Sequence, residues 1–110
     1  MIDFTMGWSG PLATRHLADL GAEVIKIEAC KYPDWWRGWE HTRETIEAQE
    51  HEKSPAFNQV NRNKLGMAVD LTHAQGRELA LKLVAEADAV IENQATGVMD
   101  KLGLSYEQLA

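Results

Sequence analysis

The stretch of residues 10–28, GPLATRHLADLGAEVIKIE, restricts the fold more than any other part of the sequence. Pro11 suits the first turn of a helix, because the N–H that proline lacks would have no acceptor there. Gly21 follows Leu20, where a helix needs a residue with left-handed backbone angles to end it. Residues 23–28, EVIKIE, alternate in polarity and are rich in β-branched side chains, so they predict a strand.

The second half of the chain repeats this order of elements. MAVDL at 67–71 predicts a short strand, residues 73–87 carry the apolar spacing of a helix, and AVIE at 89–92 predicts a buried strand. Thr72 and Gln75 have the spacing of a capping box at the start of that helix. Two β-α-β units predict an α/β fold, a Rossmann-like parallel sheet with flanking helices. The predicted strands are 2–5, 23–28, 67–71 and 89–92.

Residues 30–56 form an irregular insert between the two halves, Trp-rich at its start and acidic further on. Its tryptophans, Trp35, Trp36 and Trp39, could line an acyl pocket, pack against a second chain or belong to the core. Helix-spaced imidazole and carboxylate groups in the polar stretch could hold a metal. The density of charge favours a solvated helix face, so no metal site is predicted. These groups are His41, Glu44, Glu47 and His51.

Composition limits the kinds of partner. The 110 residues suit one small domain, 1–110, and the net charge of −6 argues against a nucleic-acid partner, which usually requires a basic face. No apolar run approaches the roughly 20 residues that cross a bilayer, so no membrane partner is expected. Cys30 is the single cysteine and cannot form an internal disulfide, so a reduced, cytoplasmic setting is expected. Ser105 and Gln108 have capping-box spacing near the last residue, which predicts a truncated part of a larger domain.

Four segments in register resemble one known family. GPLATRHLADLGAEVIKIE, NRNKLGMAVDL, GRELALKLVAEADAVIEN and GVMDKLGLSYEQL are similar to the N-terminal region of class III coenzyme A transferases, the CaiB/BaiF family. That family also contains α-methylacyl-CoA racemase. The resemblance implies the CoA-binding part of a Rossmann-like large domain. It also implies CoA thioesters and carboxylic acids as substrates, no permanently bound cofactor, and an interlocked homodimer of the full-length protein.

The resemblance implies a covalent mechanism with its nucleophile outside this chain. In the transferases a downstream aspartate attacks the acyl-CoA, which splits one difficult step into easier ones. That aspartate is expected beyond residue 110, and the carboxylates Asp3, Asp34, Asp70 and Asp88 do not match it. No catalytic residue is therefore predicted within the chain. Two alternatives remain open, a racemase of the same family and a small α/β binding module without catalysis.

The resemblance also assigns residues to the two ends of CoA. Gly7, Trp8 and Ser9 match the loop beside the pantetheine and the thioester, where backbone amides near a helix start can stabilise an oxyanion. The NRNK motif matches a nucleotide contact, because Arg and Lys bind phosphates and asparagine can hold a turn. The members of this motif are Asn61, Arg62, Asn63 and Lys64.

Four further positions match the family's CoA site. Val69 and Thr72 border the adenine, and Asn93 lies in the EN loop at a strand end. Lys101 stands where many members carry arginine, and it can neutralise a phosphate without a two-pronged contact. Ala29 is a departure, because several members have an arginine there that reaches the CoA phosphates. Lys31 is the candidate substitute for that arginine.

Overall fold

The computed structural model describes residues 1–38 and 42–110. Over these residues the sheet has four parallel strands in the order β3-β2-β1-β4, which confirms the predicted α/β class. Trp39 and His41 lie outside the described residues, so the predictions made for them stay predictions. The strands are β1 (Ile2–Asp3), β2 (Ile25–Glu28), β3 (Leu65–Ala68) and β4 (Val90–Ile91).

Six helices accompany the sheet within the described ranges. The two longest are the predicted crossover helices, each close to its expected bounds. Two single 3-10 turns, Trp35–Arg37 and Glu50–Glu52, lie in the insert. The helices are α1 (Ser9–Asp19), α2 (Arg43–Glu47), α3 (Pro55–Asn61), α4 (Ala74–Ala85), α5 (Val98–Lys101) and α6 (Tyr106–Leu109).

The third strand corrects the sequence-based bounds. β3 begins at Leu65 rather than residue 67, because the chain already pairs with β2 from Ile25 onward. It ends at Ala68, since Asp70 turns the chain by accepting bonds from the N–H and the hydroxyl of Thr72. The predicted capping box of Thr72 with Gln75 is therefore wrong.

The starts of three helices, α3, α4 and α6, can be compared with the capping signals in the sequence. His73, not Thr72, is the residue before α4, and it makes no side-chain cap. Sequence reasoning missed α3, although Ser54 and Pro55 are a helix-start signal: the Ser54 hydroxyl accepts the Phe57 N–H at 3.3 Å. The capping box at Ser105 is present and opens α6, as its spacing predicted.

The two faces of the sheet differ in chemistry. Along β1 and its extension, Ile2 and Phe4 alternate with Asp3 and Thr5, and successive side chains of a strand point to opposite faces. The first pair joins a buried apolar cluster with Ala80 of α4, so this is called the α4 face. The second pair points to α1 and α3, the α1 face, where buried polar and charged side chains lie among apolar ones such as Val60. In the described ranges, no helix is long and apolar enough to cross a membrane.

The close packing of α4 at Gly76 gives a stability prediction. A Cβ at Gly76 would lie 2.1 Å from the carbonyl oxygen of Asp70, which is backbone and cannot move aside like a flexible side chain. We expect Gly76→Ala to lower the free energy of unfolding of the full-length protein by about 1–3 kcal/mol. Urea titration followed by circular dichroism measures it.

Gly66 in β3 supplies the matched control. A Cβ there meets nothing within 4 Å, so Gly66→Ala should leave the urea midpoint unchanged or raise it slightly. Equal losses for the two variants would contradict the close approach of α4 to the turn at Asp70.

Candidate functional site

A cleft opens where the chain changes direction across the sheet. From β1 the chain proceeds to β2 and β3 on one side, and later to β4 on the other, so the loops after β1 and β4 diverge. In open α/β sheets such a switch point is where ligands bind. The cleft has a volume of about 570 Å³, and we call it the switch-point cleft. Its walls include Met6, Lys31, Tyr32, Trp35, Asn93 and Gln94.

The loop between β1 and α1, residues 4–8, borders this cleft and is held residue by residue. The Thr5 carbonyl accepts a bond from the Lys26 ammonium at 2.6 Å. The backbone of Met6 bonds the Asn93 side chain twice, N–H to Oδ1 and carbonyl to Nδ2, both at 2.9 Å. The Gly7 N–H donates to both carboxylate oxygens of Asp34 at 3.2 Å. The loop is therefore fixed before any ligand binds.

Gly7 and its neighbours form the edge of the loop nearest the start of α1. Gly7 has a φ of +77°, and a Cβ there would lie 2.5 Å from the Trp35 ring, so only glycine fits. Trp8 is 47% exposed and packs against Trp36, with ring centroids 4.8 Å apart and the ring planes tilted by 46°. Ser9 begins α1, whose first-turn N–H groups have no acceptor within the helix. These groups can stabilise a negative oxygen.

Asn93 has a clear structural task at the cleft. Both polar ends of its side chain are used on Met6, which joins the loop after β4 to the loop after β1. Gln94 adds a bond from Nε2 to the Phe4 carbonyl at 2.9 Å. The predicted contact of Asn93 with CoA stays a prediction. Its hydrogen bonds identify it as a residue that positions the loop.

Lys64 of the NRNK motif is buried rather than free. Its side chain is 2% exposed and donates to the Asp3 carboxylate at 3.0 Å, the Pro11 carbonyl at 2.9 Å and the Asn61 side chain at 2.8 Å. An ammonium has three donors, so none remains for a phosphate in this arrangement. Burial lowers the pKa of Lys64, and the adjacent Asp3 carboxylate opposes that effect. The geometry favours a framework role for Lys64 and Asn61.

Arg62 lies at the opposite edge of the sheet from the switch-point cleft. Its guanidinium pairs with Asp19 at 2.8 Å, and Asn63 donates to the same carboxylate at 2.6 Å. α1 starts beside the carboxyl end of β1 and runs back across the sheet, so Asp19 lies near the amino ends of the strands. Hydrogen bonding from Arg62 lowers the pKa of Asp19. The motif residues are therefore not gathered beside Gly7 and Asn93.

The other predicted adenine and phosphate positions follow β2, β3 and β4. Val69 is 6% exposed, and its N–H bonds the Glu28 carbonyl at 2.7 Å, whereas Thr72 is exposed in the next turn. A second cleft of about 660 Å³ lies beside Ala29 and Met67. Lys31 lines both clefts, which no other predicted cation does. Lys101 is exposed on α5 and lines neither of these clefts among the described residues.

Two ion pairs near this cleft were not predicted from the sequence, which had singled out only Asp34, as a carboxylate that does not match the family nucleophile. Lys26 and Asp34 form a buried ion pair at 3.2 Å. Glu28 and Arg37 form a second pair at 2.7 Å, and the Arg37 guanidinium lies 3.6 Å from the centre of the Phe57 ring. Burial would raise the pKa of Glu28, but the Arg37 hydrogen bond and charge outweigh it and hold that pKa low. The sequence signal that could have revealed these pairs is the presence of charged residues, Lys26 and Glu28, at alternate positions of the predicted strand EVIKIE.

The aromatic and titratable groups of the insert lie on separate short elements. Trp35 is 52% exposed and lines the switch-point cleft, which leaves the acyl-pocket interpretation open. Glu44 and Glu47 lie on α2 and His51 on a 3-10 turn. Among the residues that the structure describes, no three His, Cys, Asp or Glu side chains are grouped to hold a metal. Cys30 is exposed.

The NRNK motif yields a stability prediction. Lys64→Ala leaves the buried Asp3 carboxylate without its cation, so we expect the free energy of unfolding to fall by about 3–5 kcal/mol. Arg62→Ala removes only an exposed ion pair with Asp19, which solvent screens, and should shift the denaturant midpoint far less. Denaturant titration of both variants in the full-length protein measures this. Equal losses would mean that Lys64 is not part of the buried framework.

Comparisons with known proteins identify a family. The profile of "CoA-transferase family III" matches residues 1–110. An acyl-CoA transferase of Fusarium pseudograminearum is 41% identical over 111 residues, and a succinyl-CoA:glutarate CoA-transferase of Mus musculus is 37% identical over 109 residues. Each match covers 99% of this chain and 24% of the relative. The chain therefore spans about a quarter of the length of these relatives.

Solved structures give the same result. A crystal structure of a hypothetical protein from Mycobacterium tuberculosis superposes with a TM-score of 0.80 at 39% sequence identity, over 98% of this chain and 27% of that one. A CaiB/BaiF family protein from Brucella suis has a TM-score of 0.80 at 36% identity, over 98% of this chain and 28% of its own. Sequence and fold thus agree over nearly the whole chain. The chain belongs to CoA-transferase family III.

Proposed function

We propose that this chain is the N-terminal, CoA-binding part of the large domain of an enzyme that moves CoA between carboxylic acids. The switch-point cleft carries the proposal, because it lies at the carboxyl ends of the strands and has Met6 of the loop after β1 among its walls. Trp35, another of its walls, packs against Gly7. The names of the relatives, acyl-CoA transferase and succinyl-CoA:glutarate CoA-transferase, support transfer over racemisation. CoA and its acyl thioesters are substrates here, and no permanently bound cofactor takes part.

The start of α1 suits the reacting end of a CoA thioester. Attack on a thioester carbonyl places negative charge on its oxygen, and preorganised N–H groups stabilise that charge. Ser9 and Gly10 present first-turn N–H groups beside the cleft edge. Their task in this proposal is to bind the carbonyl oxygen.

The nucleophilic aspartate in this proposal lies outside the 110 residues. Asp3 and Asp34 are buried in ion pairs with Lys64 and Lys26, which removes them from a substrate. Asp70 accepts bonds from Thr72. Asp88 comes just before β4, at the amino edge of the sheet, away from the cleft. An aspartyl intermediate therefore needs a carboxylate from further along the protein.

The CoA nucleotide extends in this proposal along the carboxyl ends of β2 and β3. Val69 and Thr72 border the adenine, and Lys31 meets the phosphates from its position between the two clefts. Lys101 and Arg62 are the further cations that the resemblance supplies. The same resemblance supports an interlocked homodimer of the full-length protein, and the single cysteine supports a reduced, cytoplasmic setting.

The activity test compares the full-length protein with residues 1–110 alone. We expect the full-length protein to exchange CoA between an acyl-CoA and a free carboxylic acid. We expect no turnover from residues 1–110, because the nucleophilic aspartate in this proposal lies outside them. Chromatographic detection of the new thioester measures both. Turnover by residues 1–110 that disappears in Asp34→Asn or Asp70→Asn would contradict the placement of the nucleophile.

The binding test asks which cation meets the phosphates. CoA is an anion and this chain carries a net charge of −6, so binding requires local cations. We expect Lys31→Ala to weaken CoA binding by the roughly 1.5–3 kcal/mol of a charge-assisted contact and to flatten its salt dependence. Calorimetry on the full-length protein at two salt concentrations measures both quantities.

Arg62→Ala is the matched comparison for the binding test. It removes an equal charge, but from a side chain paired with Asp19 at the opposite edge of the sheet. A loss of CoA affinity in Arg62→Ala equal to or larger than that in Lys31→Ala would indicate that the NRNK segment, and not Lys31, binds the phosphates. No effect at Lys31 would contradict the proposed path of the nucleotide.

A further inference from the structure

We propose that Lys26 and Asp34 are positioning residues, whose buried ion pair holds the loop of residues 4–8 in the conformation that borders the switch-point cleft. Neither side chain is among the cleft walls, so neither is expected to touch the substrate. The kinetic part of this inference rests on the proposed function. Its structural part concerns the loop alone and can be tested without turnover.

The pair contacts the loop at two points. The Lys26 ammonium lies 3.2 Å from Asp34 Oδ2, and the two side chains are 2% and 0% exposed. Lys26 donates to the Thr5 carbonyl at 2.6 Å, and Asp34 accepts from the Gly7 N–H at 3.2 Å. The loop thus presents an acceptor and then a donor, and the pair supplies the matching donor and acceptor.

Buried charge at this place is not explained by folding stability. Taking two charges out of water costs several kcal/mol each, and well-packed apolar side chains of similar volume often serve folding equally well or better. Apolar side chains could not bond the Thr5 carbonyl or the Gly7 N–H. The ion pair therefore supplies directional hydrogen bonds to the loop backbone, which apolar packing cannot supply. Asn93 completes the set by bonding both backbone groups of Met6.

Asp34 also sets the opposite wall of the cleft. The same carboxylate that accepts from Gly7 accepts the Trp36 N–H at 3.0 Å and caps the turn Trp35–Arg37. That turn carries Trp35, whose ring packs against Gly7 and lines the cleft. One carboxylate consequently fixes the distance between the loop and the aromatic wall. Its removal should alter both walls together.

The test uses the full-length protein with Lys26→Met, Asp34→Asn and the double variant. Each single change leaves one buried group without its charged partner and should lower the melting temperature. The double change leaves no unpaired buried charge, so the melting temperature should recover toward wild type. The Thr5 carbonyl still lacks its donor, so kcat should stay about tenfold to a hundredfold low, with the KM for the CoA thioester within about threefold. Amide hydrogen exchange at residues 5–9 should be faster than in wild type.

Val84→Ala is the control for stability alone. Val84 is buried on α4, in the apolar cluster on the other face of the sheet. Its replacement by alanine should lower the melting temperature and leave kcat and the hydrogen exchange of residues 5–9 unchanged. The inference is overturned if kcat in the double variant recovers together with its melting temperature, or if Val84→Ala lowers kcat as strongly.

A lack of turnover in wild type would be a different failure. If the wild-type protein transfers no CoA from any thioester tested, the proposed function is wrong, and exchange at residues 5–9 decides the structural part. Faster exchange in the double variant then supports the positioning role, and unchanged exchange overturns it.

Discussion

The α1 face of the sheet is organised around the buried carboxylate of Asp3. It accepts bonds from the Thr5 N–H at 2.8 Å, the Thr14 hydroxyl at 2.6 Å and the Lys64 ammonium at 3.0 Å. Burial would raise the pKa of Asp3, but these hydrogen bonds and the charges of Lys26 and Lys64 outweigh it and hold that pKa low. The carboxylate therefore stays ionised inside the protein. It joins β1, α1 and the segment before β3 at a single point.

The two faces of the sheet thus divide two tasks. The α4 face is apolar, and its packing stabilises the fold through burial of area without fixed direction. The α1 face uses Asp3 with Lys64 and Asp34 with Lys26, where each bond has a direction and a length. A loop that must present backbone groups to a ligand benefits from the second kind of packing. The pair of Lys26 and Asp34 bonds the loop that carries Met6, one of the walls of the switch-point cleft.

The sequence predicted the fold well because the relevant signals are local. Pro11, Gly21 and the alternation of 23–28 each act within a few residues, and the structure has α1 and β2 close to the predicted bounds. α3 was missed because residues 57–63 are mostly polar and hide the cap at Ser54. The bounds of β3 depend on its pairing with β2, which is distant in the sequence, so the local residue pattern could not predict them.

The candidate site was less predictable because its contacts join distant residues. Lys64 and Arg62 look equally solvated in NRNK, yet their partners are Asp3 and Asp19, 61 and 43 residues away in the chain. The family resemblance supplied the positions of Gly7 and Asn93. It could not distinguish a side chain that meets a ligand from one that holds the backbone behind it. Only the hydrogen-bond partners make that distinction.

Gly7 has a consequence for how this site can vary among related proteins. Two independent demands fall on the same position, a left-handed backbone with a φ of +77° and direct contact with the ring of Trp35. A smaller residue at position 35 would relieve the contact but not the backbone angle, so no single compensating change admits a side chain at position 7. Variation of the cleft walls must therefore proceed around this residue, through the aromatic wall and the loop after β4. Position 7 must therefore remain glycine while the other residues around the cleft vary.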